Sequence, residues 1–433
     1  MPNPLPKKQL ALLGSEPQAK QDQQKSLETR FMKILKTGEG IVPQIEQEIL
    51  EDGLDFKASD IHFEPREKEV NIRFRIDGVL HEVGHISKLV YENVLNRIKV
   101  QSHLRVDEHF AAQDGAMRYL RKDGTPVDLR VSIIPINDGE KIAIRLLAEY
   151  VKDLSLADLG LSPEHQKLVV QASRKPFGMV LATGPTGSGK TTTLYALLKT
   201  FNSSEINITT IEDPVEYRIE GANQIRVNPQ TNLTFAKGLR SIIRQDPDVI
   251  LVGEIRDRET AEIAVNAALT GHLLFSTFHS NDAATGIPRL LDMGIEAFLL
   301  ASTLEVVLAQ RLARKICEKC RYPQTTNQAE LAKYIPNIQH YIPNHGQEII
   351  IYKGKGCPVC NFKGYKGRIG IFEMIHMTPE LKEVILKNPS SREIWDVAAT
   401  QGAKSLFVDG LSKVLAGVTS LDELFRVAPP PEI

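Results

Sequence analysis

The chain has 433 residues, a formal net charge of −1, 42% hydrophobic and 25% charged residues. This balance is typical of a globular protein with two or three ordinary domains and excludes a largely disordered chain. No apolar run of about 18 residues occurs, and the neutral charge supplies no global basic field, so we expect a cytoplasmic protein without a membrane span or direct nucleic-acid partner.

The first third of the chain predicts a small α+β domain. Residues 1–26 are rich in Gln, Lys, Pro and Ser and lack an apolar period, which predicts a mobile tail. Apolar residues then recur at helical spacing over 27–54, which predicts a helix. Over 69–83, apolar and polar residues alternate on both sides of an Asp-Gly turn, which predicts a hairpin of two strands. Alternation returns over 127–147. We therefore predict one small α+β domain over 27–148.

The rest of the chain begins with a polar segment, 149–155, which is predicted to be a linker. Over 156–314, apolar runs of strand length alternate with helical stretches, the pattern of a mostly parallel sheet in βαβ order. All four cysteines lie in 315–366. The remaining segment, 367–433, is predicted to form short helices.

The strongest chemical signal is a G-x4-G-K-T loop between an apolar run and a helical run. In such a loop, glycines let backbone N–H groups surround phosphates, Lys190 reaches the β/γ oxygens, and the Thr191 hydroxyl binds Mg²⁺. A flexible Gly/Ser loop is the alternative, which the strand-loop-helix context disfavours. The predicted ATP-binding residues are Gly184, Pro185, Thr186, Gly187, Ser188, Gly189, Lys190, Thr191 and Thr192.

Carboxylates follow two of the predicted strands. One strand is followed by Glu212, Asp213 and Glu216, and another by Glu254 after Gly253. A phosphate loop needs such groups to hold the metal and orient water, and a generic P-loop enzyme carries Asp at the second position. Glu254 is therefore our predicted carboxylate for Mg²⁺ and water. A helix cap or a solvated turn is the alternative for Glu254, Asp213 and Glu216.

Two histidines lie at opposite ends of a strand-like run. His272 and His279 are seven residues apart, so their side chains are expected to point to opposite faces. One of them is a candidate sensor of the γ-phosphate, because imidazole can hydrogen-bond to it. An ordinary hydrogen-bonded polar residue at a strand end is the alternative.

Several segments together resemble the secretion ATPases of type II secretion and type IV pilus assembly, from about Leu27 to Val427. These are ASDIHFEP (58–65), RFRIDGVL (73–80), the phosphate loop, TIEDPVEY (210–217), the segment 239–283, QRLARKIC (310–317) and GRIGIFE (367–373). The resemblance implies a RecA-like core and a PAS-like N-terminal domain. Together with the patterns of the sequence, it predicts an α/β protein with a RecA-like P-loop core, a small N-terminal α+β domain and a C-terminal zinc-binding and helical appendage. Zinc binding is predicted from the cysteine spacing alone.

The resemblance also implies a function and partners. It implies a homohexameric ATPase that uses ATP and Mg²⁺ at the cytoplasmic face of the inner membrane. There it would drive an inner-membrane platform protein, which extracts pilin-like subunits and adds them to a growing fibre. Membrane association would be peripheral and would occur through these partners.

Residue roles follow from the same resemblance. The family's Asp box maps onto Glu212, Asp213 and Glu216, its Walker B glutamate onto Glu254, and its His box onto His272 and His279. With two arginines of the first domain, the predicted catalytic residues are Glu254, Glu212, Glu216, Arg130, Arg145 and His279. Asp213 and His272 are predicted to contact the nucleotide.

Two departures from the family pattern concern the N-terminal part. Relatives tend to read QDGR where this chain has Gln113 to Ala116, so one expected phosphate-contacting arginine is missing. Arg130 and Arg145 are implied to lie over the γ-phosphate when the small domain closes, with an arginine in an ion pair as the alternative. Many relatives also carry a further N-terminal region, whereas this sequence reaches the first motif at Ala58.

The cysteines form two CxxC pairs, Cys317 with Cys320 and Cys357 with Cys360. In a reducing compartment such pairs are metal or redox sites more often than disulfides. Two pairs predict one tetrahedral S4 site, with Zn²⁺ first and rubredoxin-like iron, a redox pair or free thiols as alternatives. The metal is predicted to be structural, because no neighbouring residue supplies a catalytic base.

Three alternative functions compete with an assembly motor. A nucleic-acid motor such as a hexameric helicase shares the phosphate loop. Its expected signature is a stripe of basic residues with aromatic side chains that stack on bases, and evidence for such a stripe is weak in a neutral chain with one tryptophan. A non-hydrolysing nucleotide-gated scaffold is disfavoured by Glu212 and Glu254. Pilus-retraction ATPases resemble this core but typically lack the four cysteines, which therefore favour assembly or secretion.

Overall fold

The computed structural model describes residues 29–37, 42–147, 154–342 and 348–430. The predicted tail over 1–26 and residues 149–153 of the predicted linker lie outside this described part. The chain divides into two compact units. The first contains the described residues of 1–148 with Lys355–Gly364, and the second contains those of Glu149–Gly354 and Tyr365–Ile433.

Among its described residues, the first unit has three helices and a six-stranded antiparallel sheet in the order β3-β2-β1-β6-β5-β4. The helices are α1 (Arg30–Thr37), α2 (Val42–Asp55) and α3 (Lys88–Gln101). The strands are β1 (Ala58–Pro65), β2 (Glu69–Ile76), β3 (Val79–Ser87), β4 (Gln113–Leu120), β5 (Pro126–Ile136) and β6 (Gly139–Leu147).

The predicted hairpin is present as β2 and β3. Asp77 and Gly78 connect the strands with φ angles of 51° and 82°, which is the left-handed geometry that two-residue hairpin turns require. Alternate residues of β2 are buried, including Ile72 and Phe74, because one face of the sheet covers the core. The α+β prediction for this region is confirmed.

The second unit is built on a seven-stranded sheet in the order β15-β12-β7-β11-β10-β8-β9. Its strands are parallel except β15, which is antiparallel to β12. They are β7 (Gly178–Thr183), β8 (Ile208–Glu212), β9 (Asn223–Arg226), β10 (Val249–Val252), β11 (Leu273–Phe278), β12 (Leu304–Ile316) and β15 (Tyr365–His376). Strands β13 (Arg321–Thr326) and β14 (Ile349–Gly354) form a separate hairpin-like pair.

Helices cover both faces of this sheet. Before β13 they are α4 (Pro163–Ala172), α5 (Lys190–Lys199), α6 (Phe235–Ile243), α7 (Arg258–Leu269), α8 (Ala283–Asp292) and α9 (Ala297–Thr303). The later ones are α10 (Gln328–Leu331), α11 (Pro379–Ile385), α12 (Ser391–Thr400), α13 (Leu406–Leu415) and α14 (Leu421–Val427). None of the helices in the described ranges is long and apolar enough to cross a membrane.

Burial on both faces explains why the central strands are continuous apolar runs. In β7, Met179 and Leu181 belong to one hydrophobic cluster, whereas Val180 and Ala182 belong to another on the opposite face. Short polar side chains begin the surrounding helices. The Asp257 carboxylate, for example, accepts a hydrogen bond from the Thr260 N–H at the start of α7, a cap that contributes about 1 kcal/mol.

The sheet extends beyond the core predicted from the sequence. That prediction ended the core at residue 314, but β12 continues to Ile316 and β15 joins the same sheet. The pairing of Ala309 with Glu373 connects segments far apart in sequence, and an apolar run alone does not tell a buried strand from a buried helix. The C-terminal region therefore contributes a strand to the core as well as the predicted helices.

Candidate functional site

The phosphate loop connects β7 to α5 at the carboxyl end of the parallel strands. The Lys190 Nζ donates to the carbonyl oxygens of Gly184 (2.8 Å) and Pro185 (3.1 Å), and the residue is 8% exposed. Burial lowers the pKa of Lys190 to about 8, while the negative charge of Glu254 opposes that shift. The lysine thus lies folded over the loop and near the predicted carboxylate.

Two features of this loop fit a bound phosphate chain. Helix α5 begins after Gly189 without a side-chain cap in the described part of the chain, so its first N–H groups are available to an anion. The buried Ser188 Oγ also has no hydrogen-bond partner among the described residues. Both groups would be satisfied by phosphate oxygens, as the G-x4-G-K-T spacing predicts.

Strand β12 passes directly beside the loop. A Cβ atom at Gly184 would lie 2.6 Å from the Gln310 carbonyl oxygen, and Gly184 has a φ of 142°, so only glycine fits there. Gln310 is 1% exposed, and its Oε1 accepts a 2.8 Å hydrogen bond from the Thr193 Oγ1 of α5. Gln310 therefore fixes the loop helix to the sheet.

Glu254 lies at the same edge of the sheet, two residues after β10. Its Oε1 is 2.5 Å from the Arg256 Nη2, and its Oε2 is 3.4 Å from the His279 Nε2. Hydrogen bonding to Glu254 raises the pKa of Arg256, which is also near Asp213. The structure thus brings Glu254, His279 and Arg256 together, and the side chain of Glu254 is only 12% exposed.

The three acids after β8 have different environments. Glu212 is 2% exposed, and its carboxylate accepts hydrogen bonds from the hydroxyls of Tyr195 and Thr210 and, at 3.3 Å, from the Gln224 amide. Burial raises the pKa of Glu212. Tyr195 is on the loop helix, so Glu212 connects that helix to the sheet, whereas Asp213 is exposed and Glu216 is partly exposed.

His272 is not at this edge. It precedes the first residue of β11, its Nδ1 is 2.9 Å from the Ala267 carbonyl oxygen, and its own carbonyl accepts the Gly178 N–H at the start of β7. The phosphate loop follows the other end of β7. Within this unit the structure brings His279 to Glu254 but does not bring His272 to the loop.

Arg130 and Arg145 are cross-strand neighbours on β5 and β6 of the first unit. The same row continues to Asp60 and Arg75 on one side and to Ala116 on the other. The Arg145 Nε is 3.1 Å from the Asp60 Oδ1, while the Arg145 side chain is 55% exposed. Arg145 is therefore in an ion pair and still accessible, and its contact with a nucleotide stays a prediction.

Three further residues lie beside the site without a role predicted from the sequence: Arg256, Gln310 and Arg311. The Arg311 Nη2 donates a 2.9 Å hydrogen bond to the Asn281 carbonyl oxygen, and its charge contributes to lowering the pKa of Lys190. These residues belong to the segments GEIRD and QRLARKIC. The sequence did contain a signal for them. Each is a charged or amide residue that lies inside an apolar run or shortly after one, where a polar side chain needs a specific partner.

The four cysteines also come together. The sulfur atoms of Cys317, Cys320, Cys357 and Cys360 all lie within 4.8 Å of one another. Sulfur atoms around a tetrahedral zinc are about 3.8 Å apart, given Zn–S bonds of about 2.3 Å. The Cys360 Sγ also accepts the N–H groups of Cys357 (3.2 Å) and Gly364 (3.3 Å), which stabilise a thiolate. The donor set fits a structural S4 site.

Comparisons with known proteins agree with this geometry. A family model described as "Type II/IV secretion system protein" matches residues 10–426. The chain belongs to this family. It is 46% identical over 379 residues to the type II secretion system protein E of Pseudomonas aeruginosa, covering 88% of this chain and 74% of that protein. The resemblance read from the sequence is confirmed.

Two further relatives carry the word ATPase in their names. The type II secretion system ATPase E of Vibrio cholerae is 45% identical, covering 86% of this chain and 72% of that protein. The type IV pilus assembly ATPase PilB of Acinetobacter baylyi is 43% identical, covering 88% of this chain and 65% of that protein. This secretion-family protein is therefore an ATP hydrolase, as predicted.

Solved structures show the same fold. The Legionella pneumophila ATPase DotB has a TM-score of 0.64 at 19% identity and covers 95% of this chain and 96% of its own. The pilus retraction motor PilT with bound ADP has a TM-score of 0.62 at 25% identity and covers 89% and 97%. The predicted fold class, a RecA-like α/β core with appended domains, is confirmed.

Proposed function

We propose that this secretion ATPase is the homohexameric, Mg²⁺-dependent motor of a fibre-assembly machine at the cytoplasmic face of the inner membrane. It hydrolyses ATP to drive a platform protein that adds pilin-like subunits to a type IV pilus or a type II secretion pseudopilus. The observation that carries the proposal is the contact between Glu254 and His279 at the edge of the sheet where the phosphate loop begins.

Each part of this edge has a chemical role in the proposal. The loop N–H groups and Lys190 bind the phosphates, and Thr191 with Glu254 would hold Mg²⁺, which neutralises charge on the transferred phosphoryl group. Glu254 orients the attacking water, and His279, held 3.4 Å from it, responds to the γ-phosphate. Asp213 and Glu216, together with Glu254, form what we call the acidic rim of the site. Glu212 is buried behind this rim, where its hydrogen bond with Tyr195 holds the loop helix α5.

Assembly is favoured over retraction by two observations. The relatives with 43–46% identity are named as secretion or pilus-assembly proteins, whereas the retraction motor PilT is 25% identical. Retraction ATPases also typically lack the four clustered cysteines. Deleting the gene in its host should therefore remove surface fibres or block secretion, as judged by electron microscopy and secreted-protein assays. An excess of fibres in the deletion strain would instead indicate retraction.

The two arginines of the first unit give a prediction about turnover. Arg145→Ala or Arg130→Ala should lower kcat by about 10-fold or more while changing ATP affinity little, because an arginine that acts on the γ-phosphate contributes mainly in the transition state. Steady-state phosphate release and nucleotide titration measure the two quantities. Arg118→Ala, which breaks an exposed ion pair with Asp128 on the same sheet, is the matched control.

The opposite pattern would give these arginines another role. An unchanged kcat with a lower melting temperature would make Arg145 a structural partner of Asp60, with which it forms an ion pair.

The cysteine cluster is proposed to hold one structural Zn²⁺ that makes the surrounding segments rigid. These segments would then transmit ATP-driven movement to the membrane partner. Purified protein should contain about one zinc per chain, and Cys360→Ser should lose it and unfold the segment around it. Much of the basal ATP hydrolysis should remain, because no cysteine is among the residues of the phosphate-loop edge, while fibre assembly should fail. Elemental analysis, limited proteolysis and phosphate release measure these effects.

The metal content and colour of the purified protein decide between this proposal and its alternatives. A colourless protein without zinc and with four freely titrating thiols would contradict the metal site. A coloured protein that contains iron would keep the S4 geometry and replace the metal.

A further inference from the structure

A buried carboxylate lies on the same rung of the sheet as the start of the phosphate loop. Glu373 of β15 pairs with Ala309 of β12, which in turn pairs with Thr183, the last residue of β7. Glu373 is 5% exposed. An acidic side chain so far from water requires specific hydrogen-bond donors, since burying an unpaired carboxylate is costly.

The donors are the first backbone N–H groups of two helices. The Glu373 Oε1 accepts from the Ala283 N–H of α8 at 2.8 Å, and its Oε2 accepts from the Leu406 N–H of α13 at 3.3 Å. Such N–H groups have no partner inside their own helix, and the positive helix ends favour a negative charge. One carboxylate therefore joins α8 to the C-terminal helix α13.

Helix α8 is the continuation of the segment that carries His279. We call residues 279–282 the His279 loop. Three further contacts hold it: Arg311 donates to the Asn281 carbonyl at 2.9 Å, Thr183 Oγ1 donates to the Asp282 carbonyl at 3.3 Å, and Arg289 donates to the His279 carbonyl. The loop thus runs from the Glu254 contact of His279 to the residue that Glu373 holds.

We infer that Glu373 is a positioning residue for ATP hydrolysis: its ionised carboxylate holds the start of α8, and with it the His279 loop, where His279 meets Glu254. Through Leu406, the same carboxylate links that position to α13, so a force on the C-terminal helices reaches the site. The inference rests on the proposed role of His279 in turnover.

The charge state of Glu373 gives this role a pH dependence. The pKa of Glu373 is raised to about 7. Burial is the largest cause and the charge of Asp282, which caps α8, adds to it, while the two helix N–H groups and Arg311 of β12 oppose the rise. The ionised fraction therefore increases as the pH rises through about 7. Protonation removes the negative charge and one acceptor from the two helix ends, so we expect turnover to rise with pH through this range.

The test compares kcat and KM for ATP from about pH 6 to about pH 9 in the full-length wild type, Glu373→Gln and a control. Glu373→Gln should show kcat about tenfold lower at about pH 8 with KM within about twofold, and no inflection near pH 7. Glu305→Gln is the matched control. Glu305 is a buried carboxylate at the far end of β12 that pairs with Lys175, so its loss should leave the profile unchanged.

A double mutant separates positioning from a general loss of stability. If Glu373 acts through the His279 loop, Glu373→Gln should have little further effect on kcat in a His279→Ala background. Additive losses would overturn the inference and make Glu373 a structural residue. If His279→Ala alone left turnover unchanged, the proposed role of His279 would fail first, which is a distinguishable outcome.

Hydrogen exchange of the wild-type protein tests the same inference without a variant, in case Glu373→Gln does not fold. The amide protons of Ala283 and Leu406 should exchange more slowly at about pH 8 than at about pH 6, after correction for intrinsic rates. Their protection should follow the same midpoint as kcat. A kcat that varies while these amides keep constant protection would overturn the assignment.

Discussion

Glu254→Gln should leave MgATP bound to this secretion ATPase while slowing its hydrolysis by about 10²- to 10⁴-fold, the range expected when a positioned proton acceptor is lost. The amide has nearly the same shape and can still contact Arg256, which is 2.5 Å from the carboxylate. It cannot accept a proton from water or contribute a negative charge to Mg²⁺. Binding should persist because the phosphate loop and Lys190 are unchanged.

Single-turnover phosphate release and ATP titration separate the two effects of Glu254→Gln. Glu262→Gln is the matched control, since it removes an exposed carboxylate that pairs with Arg258 on α7, where such a pair contributes little. Wild-type turnover in Glu254→Gln would show that another carboxylate of the rim, Asp213 or Glu216, orients the water.

Lys190→Ala should abolish detectable hydrolysis and weaken ATP binding by at least about 100-fold, because the phosphate oxygens lose a charge-assisted donor in a buried site. In the free protein the same change leaves the carbonyls of Gly184 and Pro185 without the Nζ donor. The loop should therefore become more mobile, but the sheet should keep its stability. Nucleotide titration, phosphate release and thermal unfolding measure the three effects.

Lys167→Ala, which removes an exposed lysine from α4, provides the control for Lys190→Ala. Mixing inactive Lys190→Ala chains with the wild type also tests the proposed homohexamer. Activity that falls more steeply than the wild-type fraction would support coupled subunits, and strictly proportional activity would indicate that subunits act independently. Hydrolysis by Lys190→Ala within tenfold of the wild type would exclude the loop as the nucleotide site.

The sequence by itself determined the elements whose signals are local. The glycine spacing from Gly184 to Gly189 and the following lysine specify a phosphate loop because most of its backbone conformation and its Lys190 hydrogen bonds come from residues within the loop. The Asp77-Gly78 turn defined its hairpin for the same reason, since both residues must adopt positive φ. Alternating apolar residues predicted β2, and the βαβ pattern predicted the parallel strands β7, β8, β10 and β11.

The tertiary structure alone decided which residues meet at the site. Strand order places Glu254 next to His279 and leaves His272 at the other end of β11, although both histidines border the same apolar run. The inward direction of Glu212 depends on Tyr195, which is 17 residues away in the sequence. The contacts of Gln310 and Glu373 depend on pairing among β7, β12 and β15, strands that are distant along the chain. Periodicity reports which face of a segment is buried but not which partner covers it, because that choice is made by the packing of the whole sheet.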